Sequence, residues 1–253
     1  MFNVPFPQAR TRRLGCALIV CALGSGGAHA AYYSTGTTAS SLSSFANGPN
    51  EETHHGAASP GGSAASSAVL SSSGNRVMEG GTQSTARAEP GGVHVVADAN
   101  VRLNNPDYNL NLAVAASSTA HASFSDTLII SAPGFATGTA ALLTYRVSVS
   151  GDLGIEGSNS WNGSWNASSY WSFTTTLGAS STFRSRLNDW TPGSDPRLLG
   201  DGRFGNLDIT VPVILGTVLP FSLGGNASAS VSLGSTPYEP SSGQFAAFSN
   251  LGN

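Results

Sequence analysis

From Val93 to Leu233 apolar and polar residues alternate with a period of two, and that periodicity leaves the chain few folds to choose from. Between Leu110 and Ile130 the even positions hold Leu110, Leu112, Val114, Ala116, Ser118, Ala120, Ala122, Phe124, Asp126, Leu128 and Ile130. The odd ones include Asn111, Ser117, Thr119, His121, Ser123, Ser125 and Thr127. One face apolar or small and the other polar is what a half-buried strand requires. A helix of this Ser/Thr-rich composition would have poor propensity and no 3.6-residue stripe. The run exceeds the usual strand length, so a bend or bulge is expected near residues 115–118. SAPGFATG (131–138) supplies a turn, after which Leu143, Tyr145, Val147, Val149 and Leu153 face inward. Thr144, Arg146, Ser148, Ser150 and Asp152 face outward, and the two runs are expected to pair antiparallel.

The same rule continues along the chain. Trp171, Phe173, Thr175 and Leu177 share a face, followed after a Gly178-Ala179 turn by Phe183, Ser185 and Leu187. Leu207, Ile209, Val211, Val213 and Leu215 form a late strand; Leu219, Phe221 and Leu223 resume it, and Ala227, Ala229, Val231 and Leu233 close it. Residues 209–223 are too short for a membrane span and carry Pro212, Gly216 and Pro220, which read as strand edges and a corner. Some ten strands with closely spaced turn signals and no helical pattern predict an all-β fold, an antiparallel β-sandwich of jelly-roll type.

The N-terminus reads as an address. Arg10, Arg12 and Arg13 precede a ten-residue apolar run, LGCALIVCAL, and the segment ends in Ala28-His29-Ala30. This is the order of a secretory signal peptide, with small residues at Ala28 and Ala30 for signal peptidase and cleavage expected after Ala30. Ten apolar residues give about 15 Å of helix against a hydrocarbon core of roughly 30 Å, so a spanning helix is disfavoured. The expected organisation is therefore 1–30 signal peptide, 31–92 a low-complexity Ser/Gly/Ala segment, and 93–253 the β-sandwich. The middle segment is read as partly disordered, above all over 49–67, with short strands leaning on the following domain as the other possibility.

Composition narrows the function. Only 10% of the 253 residues are charged, against roughly 25% in ordinary soluble domains. All 11 basic residues are Arg, which excludes a lysine Schiff base and a P-loop. Net charge is −3, and after cleavage 8 arginines face 14 acids for a net −6, so nucleic acid is not an expected partner. Both cysteines, Cys16 and Cys21, lie in the leader; the mature 223 residues form no disulfide and fold on their core alone.

The segments ASFSDTLIISAPG (from Ala122), LLTYRVSVSGDL (from Leu142) and DITVPVILGTVLPFSLGGNASASVSLG (from Asp208) follow an export leader. In this order they resemble the body of PEP-CTERM-class secreted β-rich bacterial proteins, over roughly residues 120–233. The resemblance implies export and association with extracellular matrix. Its sorting tail of Pro-Glu-Pro, apolar helix and basic cluster has no counterpart in the closing FAAFSNLGN, and Tyr238-Glu239-Pro240 is followed by neither apolar stretch nor arginines. Surface anchoring by that route is not implied, and the final strand of the fold is expected to be missing.

Among groups that carry chemistry, no G-x-S-x-G occurs despite 39 serines. His54-His55 beside Glu51-Glu52 offers metal ligands, but adjacent residues in a Ser/Gly tract seldom converge on one ion. His94 and His121 sit on polar strand faces without an identifiable carboxylate partner. Asp152, Glu156, Asp189, Asp195, Asp201 and Asp208 are candidates for the facing pair that glycoside hydrolysis needs. Asp126 lies on the apolar parity of its strand, where a backbone or hydroxyl partner at a sheet end is expected. DGRFGNLD (201–208) lacks the alternating calcium-loop pattern and reads as a hairpin entry.

The near-repeat Trp161-Asn162-Gly163-Ser164-Trp165-Asn166-Ala167-Ser168 is more suggestive. Sugar rings stack their C–H faces on indole while amides bond ring hydroxyls, so Trp161, Asn162, Trp165 and Asn166, joined by Trp190, would make a carbohydrate platform. Alternatively the indoles cap the open end of the sandwich, and Trp171 is core by parity with Phe173 and Leu177. The expectation is a secreted, non-enzymatic structural protein of the bacterial envelope or extracellular matrix, with no cofactor and no metal. Its expected partners are extracellular polysaccharide and, during export, signal peptidase; after cleavage it is not an integral membrane protein. The alternative is a carbohydrate-binding module using exposed tryptophans. An outer-membrane barrel is disfavoured because the outward positions are Ser, Thr and Asn.

Overall fold

The computed structural model describes residues 32–45, 48–58, 63–71, 77–105, 113–157, 163–191, 197–200, 204–234 and 241–252, and for the first three strands backbone pairing alone. These residues form thirteen strands: β1 (Tyr32–Phe45), β2 (Gly48–Ala58), β3 (Ser63–Ser71), β4 (Val77–Glu89), β5 (Gly92–Asn105), β6 (Ala113–Ile129), β7 (Ala140–Gly157), β8 (Ser164–Leu177), β9 (Ser180–Trp190), β10 (Arg197–Leu199), β11 (Gly205–Ile214), β12 (Val218–Gly234) and β13 (Ser241–Gly252). They build two antiparallel sheets, ordered β10-β9-β8-β12-β6-β1-β2 and β11-β7-β13-β5-β4-β3.

The order is that of a jelly roll. Four ladders, β5·β13, β6·β12, β7·β11 and β8·β9, make one long antiparallel ribbon whose tip is the turn at Gly178-Ala179. Rolled up, its arms alternate between sheets, giving β5-β13-β7-β11 against β6-β12-β8-β9, and β8·β12 and β7·β13 close the roll. β1 and β2 extend one sheet beyond β6, β4 and β3 extend the other beyond β5, and three-residue β10 flanks β9.

Alternation fills the space between the sheets. Val93, Val95, Ala97, Ala99, Val101 and Leu103 of β5 face Val114, Ala116, Ala120, Ala122 and Phe124 of β6 and Phe221, Leu223, Ala227, Ala229, Val231 and Leu233 of β12. Trp171, Phe173, Phe245 and Leu251 are among the side chains sealed completely. The inward residues read for residues 143–153, 207–215 and 219–233 are all on the core side. Glycine admits rings to the packing: Phe248 lies over Gly154 and Phe245 over Gly157, each where a Cβ would stand.

Four expectations need correction. β6 shows no bulge at 115–118, because unbroken ladders to β12 and β1 hold it on both sides. β6 and β7 do not pair: the 131–138 connection crosses between sheets, since both flanks of β6 are already taken. Phe183 and Leu187 are not on the core face; the tight turn aligns Leu177 with Ser180, which sends Thr182, Arg184, Arg186, Asn188 and Trp190 inward and leaves Phe183 54% exposed. The final strand is present, because β13 lies between β5 and β7. The residue-92 boundary read from the sequence falls in the β4–β5 hairpin, where Glu89 is opposite Gly92. β2 and β3 cover most of 49–67, and residues 1–30 lie outside the described residues, Ala28 and Ala30 included.

Candidate functional site

Trp165 is on the core-facing parity of β8, shared with Ala167, Trp171 and Phe173. Its ring stacks on Phe245 at a centroid distance of 4.8 Å and 21° between planes, and meets Trp190 edge-on at 4.9 Å and 78°. Trp190 also touches Phe245 edge-on at 5.7 Å and is 9% exposed, so the three rings plug one region of the sandwich from β8, β9 and β13. Asn166, the next residue, points to the opposite, exposed face. A strand cannot present neighbouring side chains on one side, so Trp165 and Asn166 do not share a surface. Trp161 and Asn162 lie outside the described residues.

Deeper along the same strands, Trp171 is sealed and stacks on Phe204 at 5.0 Å. Its Nε1, the Ser169 hydroxyl and the Asn188 Oδ1 are buried polar atoms with no hydrogen-bond partner. Ser169 is aligned with Asn188 across the β8–β9 ladder. One donor, one acceptor and one group able to do either are therefore collected inside the apolar layer. Leaving such groups unpaired costs stability.

The acids are separated by the sheets. Asp208 receives two bonds from Arg146, Nε to Oδ1 at 2.6 Å and Nη2 to Oδ2 at 2.8 Å, a forked pair on the outer face of β7 and β11. The hydrogen bond with Arg146 holds the Asp208 carboxyl below its usual range and raises the guanidinium. Asp152 accepts from the Leu153 amide at 2.9 Å and Asp126 from the Thr127 amide at 2.7 Å, the latter the backbone partner expected for it. Asp152 and Glu156 stand on the outer face of one sheet and Asp189 on the outer face of the other, with the whole core between. Asp195 and Asp201 lie outside the described residues, as do the side chains of His54 and His55. Among the described residues no group of three or more His, Cys, Asp or Glu converges as metal ligands would.

Two titrating groups stand out on the outer face of the second sheet. Asp98, between Gln83 of β4 and Phe248 of β13, has its carboxyl pushed up to about 6 by burial. His94 is exposed at its tip, but burial of its ring lowers its pKa, helped by the positive charge of Arg87 and opposed by Glu89. His121 is exposed on β6, opposite Asn226. The parity of Trp165 with Trp171 was a readable signal for its inward placement. Asp98 carried none, because its burial comes from a cross-strand phenylalanine 150 residues away.

The outer faces are knit by hydroxyls and amides. Thr144 pairs with Thr210 at 2.8 Å, Ser168 with Ser230 at 2.9 Å, Ser148 donates to Asn206 at 2.6 Å, and Asn226 donates to Ser172 at 3.1 Å. Fold and surface together define a jelly-roll β-sandwich with filled interior and hydroxyl-rich faces. No family model, no curated protein and no solved structure matches the chain.

Proposed function

We propose that this chain is a secreted, non-enzymatic structural protein of the bacterial envelope or extracellular matrix, with extracellular polysaccharide as its partner. The observation that carries the reading is the outer surface. Ladders of Ser, Thr and Asn replace the charged residues of an ordinary soluble domain, and the hydroxyl pairs lie in rows fixed by strand register. Such a face offers sugar hydroxyls many weak, geometrically repeated hydrogen-bond partners and little charge to discriminate among them. The leader sequence supports export, and placing Trp165 and Trp190 in the packing supports a scaffold in which the indoles stabilise the fold.

Fractionation of the native host tests localisation, and sedimentation with purified cell-surface polysaccharide tests the partner. The protein should appear outside the cytoplasm, shortened to a start near Ala31, and should co-sediment with polysaccharide. A Thr144→Val/Thr210→Val variant, which keeps strand propensity but removes one hydroxyl pair, should bind several-fold less. Cytoplasmic residence of the uncleaved chain, or no polysaccharide association, would overturn the reading.

A further inference from the structure

Of the seven large apolar side chains left exposed among the described residues, five gather at one end of the sandwich. Ile129 closes β6, Val218 opens β12 directly opposite it, Leu142 and Ile214 stand at the matching ends of β7 and β11, and Phe135 caps the β6–β7 connection. Phe135 is 66% and Leu142 75% exposed. Isolated exposed apolar residues are ordinary, but a contiguous group marks a contact surface.

The arrangement says what kind of contact. Leu142 and Ile214 project from the outer face of one sheet, Ile129 and Val218 from the outer face of the other, with Phe135 between them at the tip. A folded partner, including a second copy of this chain, would press against one face. A medium that surrounds the end covers both at once. Polarity is also graded along the strands. On β7 and β11, Leu142 lies opposite Pro212, then Thr144 opposite Thr210, then Arg146 opposite Asp208, at steps of about 7 Å. On β6 and β12 the sequence is Ile129 with Val218, Thr127 with Pro220, then Ser125 with Ser222. On β7 and β11 apolar, hydroxyl and ionic layers follow one another, and on β6 and β12 apolar gives way to hydroxyl, as acyl chains give way to headgroups and water at a bilayer surface.

Charge agrees. No charged residue occurs between Asp126 and Arg146 or between Asp208 and Glu239, although the chain is acidic overall. A negatively charged body with a neutral tip matches uncharged or zwitterionic lipid better than an anionic surface. Backbone bonds tie the two connections at the tip together: Gly138 donates to the Leu215 carbonyl at 2.8 Å, Leu215 to Thr139 at 3.0 Å and Gly216 to Ile130 at 2.8 Å. Apolar side chains are thus carried on connections that are partly tied together by their own backbone bonds.

We infer that this end of the sandwich is a lipid-contact tip that inserts Phe135, Leu142, Ile214, Ile129 and Val218 into the surface of a bilayer, to a depth on the order of 5–10 Å. The contact is peripheral, made by the ends of four strands, and does not depend on the matrix reading above.

The test is co-sedimentation of the full chain with phosphatidylcholine vesicles. The wild-type chain should bind, binding should survive high salt, and Phe135→Ser/Leu142→Ser should reduce it at least tenfold with unchanged far-UV circular dichroism. Leu142→Thr, which keeps β propensity, should reduce it several-fold, and Phe183→Ser/Leu199→Ser, at exposed apolar positions outside the tip, should leave it unchanged. The inference is overturned if the wild-type chain stays in the supernatant. It is equally overturned if the tip variants bind as wild type, if the control pair lowers binding as much, or if binding requires anionic lipid and is released by salt. Concentration-dependent self-association abolished by the tip variants, without vesicle binding, would assign the surface to a second copy instead.

Discussion

Replacing Trp190 with alanine separates a structural indole from a ligand-binding one. The ring is 9% exposed and wedged between Trp165 and Phe245. Removing an indole that buries on the order of 200 Å² forfeits about 5 kcal/mol at 25 cal/mol/Å², an upper bound because the unfolded chain already hides part of that surface. Core Trp→Ala changes cost roughly 3–5 kcal/mol, and the low end applies here because Trp165 is only partly buried and can move toward the gap. With roughly 2–4 °C per kcal/mol for a chain of this size, Trp190→Ala should melt about 6–12 °C lower. A double-mutant cycle with Trp165→Ala should show coupling of about 0.5–1.5 kcal/mol, the amount aromatic pairs add beyond area. Thermal unfolding followed by near-UV circular dichroism gives both numbers. A Trp190→Ala protein that melts with the wild type and loses polysaccharide binding would refute the reasoning and restore the carbohydrate platform.

Two further outcomes follow from groups already described. Asp98 binds its proton more tightly folded than unfolded, so stability is greatest below the unfolded value near 4 and falls as pH rises to about 6. Asp98→Asn should remove that decline and raise stability at pH 7 by on the order of 1–3 kcal/mol, discounted for partial exposure and read from urea midpoints at pH 4, 6 and 7.5; an unchanged difference between pH 4 and 7.5 would sink it. His94 contributes the opposite slope, since its lowered value makes folding favour the neutral ring as pH rises through the usual histidine range, so the comparison is made in one His94 background. Gly151→Ala should destabilise by more than about 3 kcal/mol, because a Cβ there would run into the backbone oxygen of Asn250, which the β7·β13 ladder holds in place; wild-type melting would show that the ladder yields.

Strands with one wholly apolar face were legible from residues alone: from Leu207 β11 carries Leu, Ile and Val at every second position, and β12 Leu, Phe, Val, Ala and Gly. β9 misled because its hydrophobic alternation and its register disagree. Phe183 and Leu187 suggest one face, but a two-residue turn and the burial of Asn188 and Trp190 select the other, turning Arg184 and Arg186 toward the interior side. β13 was unreadable, with Phe245 and Phe248 on opposite faces and both filling space left by glycines on β7. Part of the apolar tip was visible in the run from Ile209 to Leu223, which one-dimensional reading took as strand edges and a corner instead of a membrane span. That Ile129 and Val218 meet on one outer face and Leu142 and Ile214 share the other is a property of the roll.

The ribbon sets a timetable. β5 finds its partner 136 to 158 residues later, in the last dozen residues of the described chain, and β7 is flanked on one side by that same strand. Two central strands of one sheet therefore keep an open edge until β13 has been made. Long-range pairing of this kind is slow, and a nascent chain that cannot complete a sheet remains extended. β13, with Phe245 sealed in the core, joins β5 to β7, so opening it would free an edge of both flanking strands.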